Sequence, residues 1–395
     1  MILRTEQGTH LTGPVLIVGA GLLGASIGLG LRARGLDVVL SDSSPSTEAV
    51  ARDIGAGRLL TETHDAETND AETHDAETHD AETHDAGGRF VPELVVVATP
   101  PDVTARVVAE ALLTYPGAVV LDICSVKEAI LRELAAAPGV VPHLSRYVGT
   151  HPMAGGERSG PVAARAELFI GSPWVLCPHA DSVPEAVLRA ESLAIDLGAI
   201  PVRMAVGEHD EAVALISHLP QVVSSLVASR LQDSPVQALS LAGNGLRDVT
   251  RIAASDPRLW VQILAANAGR LVDILYGVRE DLNRLITTLE DPMAGGARLD
   301  MAQLMSEGNA GQARVPGKHG TPPNAFASLT VLVDDVPGQI AKLLTEIGDT
   351  GINVEDFRLE HSPGREVGLA ELSVLPGKRQ ELTESLTQRG WKVVQ

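Results

Sequence analysis

His151 stands in the run Gly149-Thr150-His151-Pro152-Met153-Ala154-Gly155-Gly156-Glu157-Arg158-Ser159-Gly160. Glycines let a backbone come close to a ligand, and Pro152 keeps a helix from absorbing the segment, so the run reads as a loop presenting an imidazole. A histidine placed this way takes up a proton near neutral pH. Ser125 is a second reactive group. It follows an apolar run in Asp122-Ile123-Cys124-Ser125-Val126-Lys127, where its hydroxyl caps a helix starting near Lys127 or assists catalysis, and both roles are compatible.

Elements that would position these groups begin at residue 15. Val15-Leu16-Ile17-Val18 has the fully apolar character of a strand buried on both faces of a parallel sheet. Gly19-Ala20-Gly21-Leu22-Leu23-Gly24 follows, then a helical stretch from Ala25 to Arg34, a second strand at Val38-Val39-Leu40, and Asp42. In the order strand, GxGxxG, helix, strand, Asp, the first two glycines allow a tight turn and close approach to a pyrophosphate, and the third lets helix pack on strand. Helix N–H groups at Leu22 and Leu23 then face the phosphates. Asp42, 18 residues past Gly24, would accept hydrogen bonds from ribose hydroxyls and repel a 2′-phosphate, which favours NAD over NADP. Further strands, Leu94-Val95-Val96-Val97-Ala98 and Val119-Val120-Leu121-Asp122, deliver Thr99 and Ser125 at their carboxyl ends, where doubly wound sheets bind ligands. The expected cofactor set is therefore Gly19, Gly21, Leu22, Leu23, Gly24, Asp42, Thr99 and Ser125.

A chain of 395 residues holds two to three domains. Its net charge of −20 argues against a nucleic-acid partner. Half of that charge is local, since residues 61–86 contain ten Asp or Glu and no Lys or Arg. The two cysteines, Cys124 and Cys177, make no disulfide framework and fit a reducing cytoplasm. Met1–Thr12 lacks the apolar core of a signal peptide. The apolar run from Pro14 to Leu31 is broken by five glycines and followed by Arg32 and Arg34, so no membrane segment is expected. Residues 62–86 are five copies of Glu-Thr-His-Asp-Ala, with Asn69 for His in the second. Such a polar tract buries no core and is expected as a disordered insertion. In a helix each repeat would rotate its side chain by about 500°, scattering His64, His74, His79 and His84. No metal site is expected.

The domain reading is a nucleotide-binding α/β unit of Rossmann type over 1–182, a helical unit over 183–305, a Gly/Pro-rich linker over 306–323 and a βαββαβ ferredoxin-like unit over 324–395. Pro220 in Ser217-His218-Leu219-Pro220-Gln221 should kink the helix that holds it.

As an ordered set, Gly19–Gly24, Asp122–Lys127, Thr150–Gly155, Ser217–Pro220 and Arg247-Asp248-Val249-Thr250-Arg251-Ile252-Ala253 resemble the prephenate/arogenate dehydrogenase family of tyrosine biosynthesis. The resemblance covers nearly the whole chain except the repeat. Val333–Gln339 and Gly351-Ile352-Asn353-Val354 resemble an ACT domain. The resemblance implies NAD-dependent oxidative decarboxylation of a cyclohexadienyl acid. In it His151 accepts the proton of the ring hydroxyl, Ser125 orients His151, and Arg251 holds a substrate carboxylate bidentately. His218, Gln221, Glu157 and Trp260 complete the implied substrate set. It also implies a homodimer and an amino-acid effector, tyrosine or phenylalanine, at Asp335, Gly338 and Asn353. Two departures bear on the substrate. Gln221 stands where prephenate users often have a second histidine, and Gly156 where a small hydroxylated residue is common. Prephenate is the expected substrate and arogenate the alternative; a non-catalytic NAD- and amino-acid-binding sensor is the alternative of another class.

Overall fold

Short runs of Val, Leu and Ile have no polar side to show to water, and here they form the centre of a sheet covered on both faces. The computed structural model describes residues 9–61, 90–155, 158–316, 326–361 and 367–394; the repeat tract, Gly156 and Glu157 lie outside the described residues. Two compact units divide the chain, one up to Tyr276 and one from Gly277.

In the first unit, β1 (Val15–Val18), α1 (Leu22–Arg32), β2 (Val38–Ser41), α2 (Pro45–Asp53) and β3 (Arg58–Leu59) precede the repeat. After it come β4 (Leu94–Val97), α3 (Pro101–Thr114), β5 (Val119–Asp122), α4 (Glu128–Ala136), β6 (Tyr147–Pro152), β7 (Pro173–Cys177), α5 (Pro184–Asp196) and β8 (Ile200–Arg203). The sheet order is β3-β2-β1-β4-β5-β6-β7-β8. Strand pairs are parallel except β6 with β7. Chain order reverses between β1 and β4, which opens a crevice beyond their carboxyl ends. Alternate residues feed opposite faces: Ile17, Leu40 and Leu121 join one apolar cluster with Trp174 and Leu193, while Leu16, Val39 and Val120 join another with Val108 and Leu134.

Two expectations change here. His151 is on a strand, not in a loop: it pairs with Val175, and Pro152 pairs with Trp174 at the strand's end. Burial of Tyr147 and Val148 draws the segment into the sheet, and a proline is tolerated where a strand stops. The sheet also runs past residue 182 to Arg203, because α5 buries Ala186, Ala190, Leu193 and Ala194 against it. An Ala/Leu-rich helix has the same composition whether it covers a sheet or joins a bundle, so the sequence alone placed α5 in the wrong unit.

Helices α6 (Val206–Val213) and α7 (Leu219–Ser229) run through a π-helical turn at Ala214–His218. Pro220 has no N–H for the carbonyl of Ile216, so the expected kink takes the form of a wide turn just before it. The Val206–Ser229 stretch is long and apolar enough to cross a membrane, with 28% of its apolar window buried. It carries the buried His209, Asp210 and His218, polar groups that are costly in hydrocarbon. Next come α8 (Val236–Leu239), α9 (Asn244–Thr250), α10 (Pro257–Ala266) and α11 (Ala268–Glu290).

In the second unit, α12 (Ala297–Gln312) extends into the span expected as a linker. Its Ala, Met, Leu, Glu and Gln residues outweigh the isolated Gly308 and Gly311. Then follow β9 (Ala327–Asp334), α13 (Gln339–Gly348), β10 (Asp356–His361), β11 (Val367–Val374), α14 (Arg379–Gln388) and β12 (Lys392–Val394). This βαββαβ unit has the antiparallel order β10-β11-β9-β12. Leu343, Ile347, Leu382 and Leu386 cover one of its faces.

Trp174 is fully buried, with its ring centroid 5.1 Å from that of Phe169. Trp174→Ala should lower the unfolding free energy by ~3–5 kcal/mol in a denaturant titration; a loss below ~1 kcal/mol would show that the sheet does not depend on this contact.

Candidate active site

The glycine turn after β1 has the shape a dinucleotide requires. Gly19 has φ +105°, and a Cβ there would lie 2.4 Å from the Ala98 carbonyl oxygen. A Cβ on Gly24 would sit 1.9 Å from the Gly19 oxygen, whereas one on Gly21 would meet nothing within 4 Å. Gly19 and Gly24 therefore make the turn and the packing, and Gly21 leaves room for a ligand. No side chain caps α1 and no acid lies in its first turn. The first helical bond is Ala25 N–H to the Gly21 carbonyl, so the N–H groups of Leu22, Leu23 and Gly24 suit an anionic pyrophosphate. Asp42 follows β2, with Oδ2 accepting from Ala20 N–H at 2.7 Å and Oδ1 from Ser44 N–H at 2.8 Å. Thr99, just past β4, has its hydroxyl 3.0 Å from that of Thr104. This donor set fits NAD.

Beneath the cleft, Asp122 at the end of β5 is paired with Lys127, both fully buried. Lys127 Nζ also donates to the Thr150 carbonyl at 2.7 Å. The remaining capacity of Asp122 is filled by Tyr147 OH at 2.6 Å and Cys124 N–H at 2.8 Å, while its carbonyl accepts from Thr150 Oγ1 at 2.7 Å. A Cβ on Gly149 would lie 3.0 Å from Lys127 Cδ and 3.2 Å from the Tyr147 hydroxyl oxygen, so a side chain there would press on the pair. Burial, reinforced by the charge of Asp122, pushes the Tyr147 hydroxyl well above its ordinary value. Burial pushes the Cys124 thiol up to about 11. Neither is a nucleophile; together they wall in the ion pair that sets the end of β6.

His151 is the next residue along. Its Nδ1 is 2.9 Å from His209 Nε2, with the rings edge to face at 5.1 Å and 74°. His209 Nδ1 is 2.8 Å from Asp210 Oδ1. Asp210 in turn accepts the N–H groups of Lys127 at 2.9 Å and Glu128 at 2.8 Å, which locks α6 to the start of α4. Asn267 Nδ2 donates to the Asp210 carbonyl at 2.7 Å and lies 3.3 Å from His218 Nδ1. The His218 ring meets Trp260 edge-on at 6.1 Å. Burial, then the neighbouring His209, Lys127 and His218, hold His151 well below the usual histidine range. Burial carries His218 down to about 4. Burial pushes Asp210 upward, but the His209 bond and the two backbone donors outweigh it, leaving the group below the usual carboxylate value. The result is a neutral base beside an ionised carboxylate.

Gln221, buried on α7, and Trp260 line a cavity of about 270 Å³ with Val222, Leu226 and Val261. The structure thus brings His151, His218, Gln221 and Trp260 into one unit. Ser125 is half-buried and makes no hydrogen bond to His151 among the described residues; His209 takes that place. The reason is Asp210, whose grip on the backbone of Lys127 and Glu128 brings α6 against the turn after Ser125. Arg251 is exposed where it opens the 3-10 turn Arg251–Ala254. Glu157 lies outside the described residues. Asp335 and Gly338 lie in the turn between β9 and α13, and Asn353 Nδ2 donates to Glu355 Oε1 at 2.7 Å, all in the second unit. Sequence reasoning missed His209, Asp210 and Asn267. The adjacent His-Asp in the first turns of a helix was the available signal.

Lys127→Met should cost ~3–5 kcal/mol of stability by stranding the Asp122 charge; denaturant midpoints of the two proteins measure it, and equal midpoints would refute the account. A second outcome concerns pH. His218 titrates near 6.5 when unfolded and at about 4 when folded. Acidification through that window protonates the unfolded chain first, so stability present above pH 6.5 falls as pH drops toward 4. His218→Asn should show a shallower decline between these pH values; an unchanged slope would mean His218 is not held neutral.

Comparison with known proteins agrees with this geometry. Residues 58–202 match the family model of the prephenate dehydrogenase nucleotide-binding domain, and residues 206–306 that of the prephenate dehydrogenase dimerization domain. The gap between them falls where β8 ends and α6 begins. "Probable prephenate dehydrogenase NovF" of Streptomyces niveus is 33% identical over 383 residues, covering 95% of this chain and 98% of its own. Prephenate dehydrogenase of Bacillus subtilis is 26% identical over 355 residues, 87% of each chain. Among solved structures, Synechocystis arogenate dehydrogenase matches with a TM-score of 0.55 at 25% identity, covering 75% of this chain and 99% of its own. A glycine turn shaped for a dinucleotide, a neutral histidine at the end of β6 and a relative aligned over 95% of the chain converge: the chain belongs to the prephenate dehydrogenase family.

Proposed function

We propose that the chain is an NAD-dependent prephenate dehydrogenase that converts prephenate to 4-hydroxyphenylpyruvate and CO2. The observation that supports this most directly is His151, held neutral at the end of β6 with no protein hydrogen bond on Nε2 among the described residues. Bound NAD supplies the hydride acceptor. His151 takes the hydroxyl proton as C4 of the ring is oxidised, and returns it to the same oxygen as loss of CO2 makes the ring a phenol. Prephenate, a dianion, and the oxidised cofactor give a monoanionic product, CO2 and the reduced cofactor, so no net proton is released. Leu22, Leu23 and Gly24 hold the pyrophosphate and Asp42 the adenosine ribose. Arg251 engages a substrate carboxylate, and Gln221 with Trp260 lines the side-chain end of the substrate.

The dimerization-domain match over 206–306 supports pairing with a second copy. The exposed Leu215, Ile216 and Leu226 supply apolar surface for it. The βαββαβ unit is proposed as an ACT domain that binds tyrosine or phenylalanine around Asp335, Gly338 and Asn353. The enzyme is proposed to be soluble and cytoplasmic. Gln221 supports one second reading: a neutral group that both donates and accepts suits the amino-acid side chain of arogenate as well as the keto acid of prephenate.

Purified chain with NAD should form NADH faster with prephenate than with arogenate; the reverse order would favour the second reading, and no NADH with either would defeat both. His151→Asn should lower kcat by ~10²–10⁴-fold, and near-native turnover would reject His151 as the base.

A further inference from the structure

The proposed reaction gives His151 a base's role, but an imidazole is a base only at the nitrogen without a proton, and something must decide which one that is. Four hydrogen bonds on the far side of the ring bear on the choice. Asp210 accepts two backbone N–H bonds, from Lys127 at 2.9 Å and Glu128 at 2.8 Å, so its carboxylate is ionised and only accepts. His209 Nδ1, 2.8 Å away, must then carry the proton of that bond. In a neutral ring this leaves His209 Nε2 as an acceptor, and its partner at 2.9 Å is His151 Nδ1. His209 is buried, so water does not compete for either nitrogen.

We infer that Asp210 and His209 are positioning residues that fix His151 in the tautomer with the proton on Nδ1, leaving Nε2 as the reactive base. The inference rests on the proposed reaction. Because that reaction releases no net proton, the chain has none to conduct away, and its work is orientation. The Nδ1–H donated to His209 is the same in neutral and protonated His151, so uptake and return of the substrate proton at Nε2 need no ring rotation. The arrangement extends to the backbone: Asp210 is gripped at the start of α4, so the base is referenced to the turn that carries Ser125. Reversing the tautomer of His209 would place an N–H against His151 Nδ1 and leave the proton of His151 on Nε2, blocking the base.

Nitrogen-15 NMR of histidine-labelled full-length protein at pH ~7.5, above the ordinary histidine range, reads the tautomer directly, with His151 assigned from the signals lost in His151→Gln. The expected spectrum shows His151 protonated at Nδ1 and bare at Nε2; a proton on Nε2, or a doubly protonated His209, overturns the inference. Kinetics supply a second arm. Glutamine reaches about as far as a histidine Nε2 and can offer a carbonyl to His151 Nδ1–H, so His209→Gln should keep kcat within about tenfold of native. His209→Leu and Asp210→Asn should lose ~10²-fold or more in kcat with little change in KM. A leucine variant within about threefold of native, or equal loss in the glutamine and leucine variants, overturns it. If the leucine variant fails to fold, the native spectrum and the glutamine variant still decide. A native chain that forms no NADH with prephenate would instead defeat the proposed reaction and leave the tautomer measurement standing.

Discussion

The buried pair of Asp122 and Lys127 is the constraint on which the rest of the site depends. Both charges are buried, and each is tolerable because the other, with Tyr147, Thr150 and Cys124, supplies hydrogen-bond partners. These bonds join the end of β5 to the end of β6, and His151 is the residue that follows Thr150. The backbone of Lys127 and Glu128 then holds Asp210. One short turn therefore fixes His151 from two sides, through the strand that carries it and through the helix that carries His209.

Electrostatics and packing agree on the state of the base. Three histidines sit close together, and the charge of Lys127 acts on His151 as well. Burial makes a cation on His151 or His218 unfavourable, and Asp210 is the neighbouring anion that offsets a proton when one arrives. A group kept neutral at rest, yet one ring away from a carboxylate, is suited to lending and returning a proton within a cleft. The wide turn at Ala214–His218 serves the same end. It lets the helix pass Pro220 while placing His209, His218 and Gln221 inward and apolar residues such as Leu215 and Ile216 outward.

Much of the fold was legible because its signals are local. Apolar runs of three or four residues mark β1, β4 and β5, and the glycine turn with Asp42 declares its own geometry. The errors arose where tertiary contact outweighs local preference. Glycines and Pro152 describe a loop, but buried Tyr147 and Val148 make a strand. Composition could not assign α5 to the sheet, nor could scattered glycines end α12. In the site, the family resemblance named His151, His218, Gln221 and Trp260, and the structure places all four in the first unit. His209 and Asp210 were not named, since their importance comes from contact with the start of α4 at Lys127, 83 residues from Asp210 in the chain. The resemblance gave Ser125 the orienting role, and in the fold the bond to His151 Nδ1 goes to the His209 imidazole instead.

The central claim is that His151 works as a neutral base whose protonation lies below the ordinary histidine range. The pH profile of kcat/KM tests it most directly, because that parameter reports the groups of the free enzyme. The account predicts a flat profile through neutral pH and a fall with unit slope whose midpoint lies below 6.5. A rate still rising between about pH 7 and 9, where an unperturbed histidine is already neutral, would contradict it.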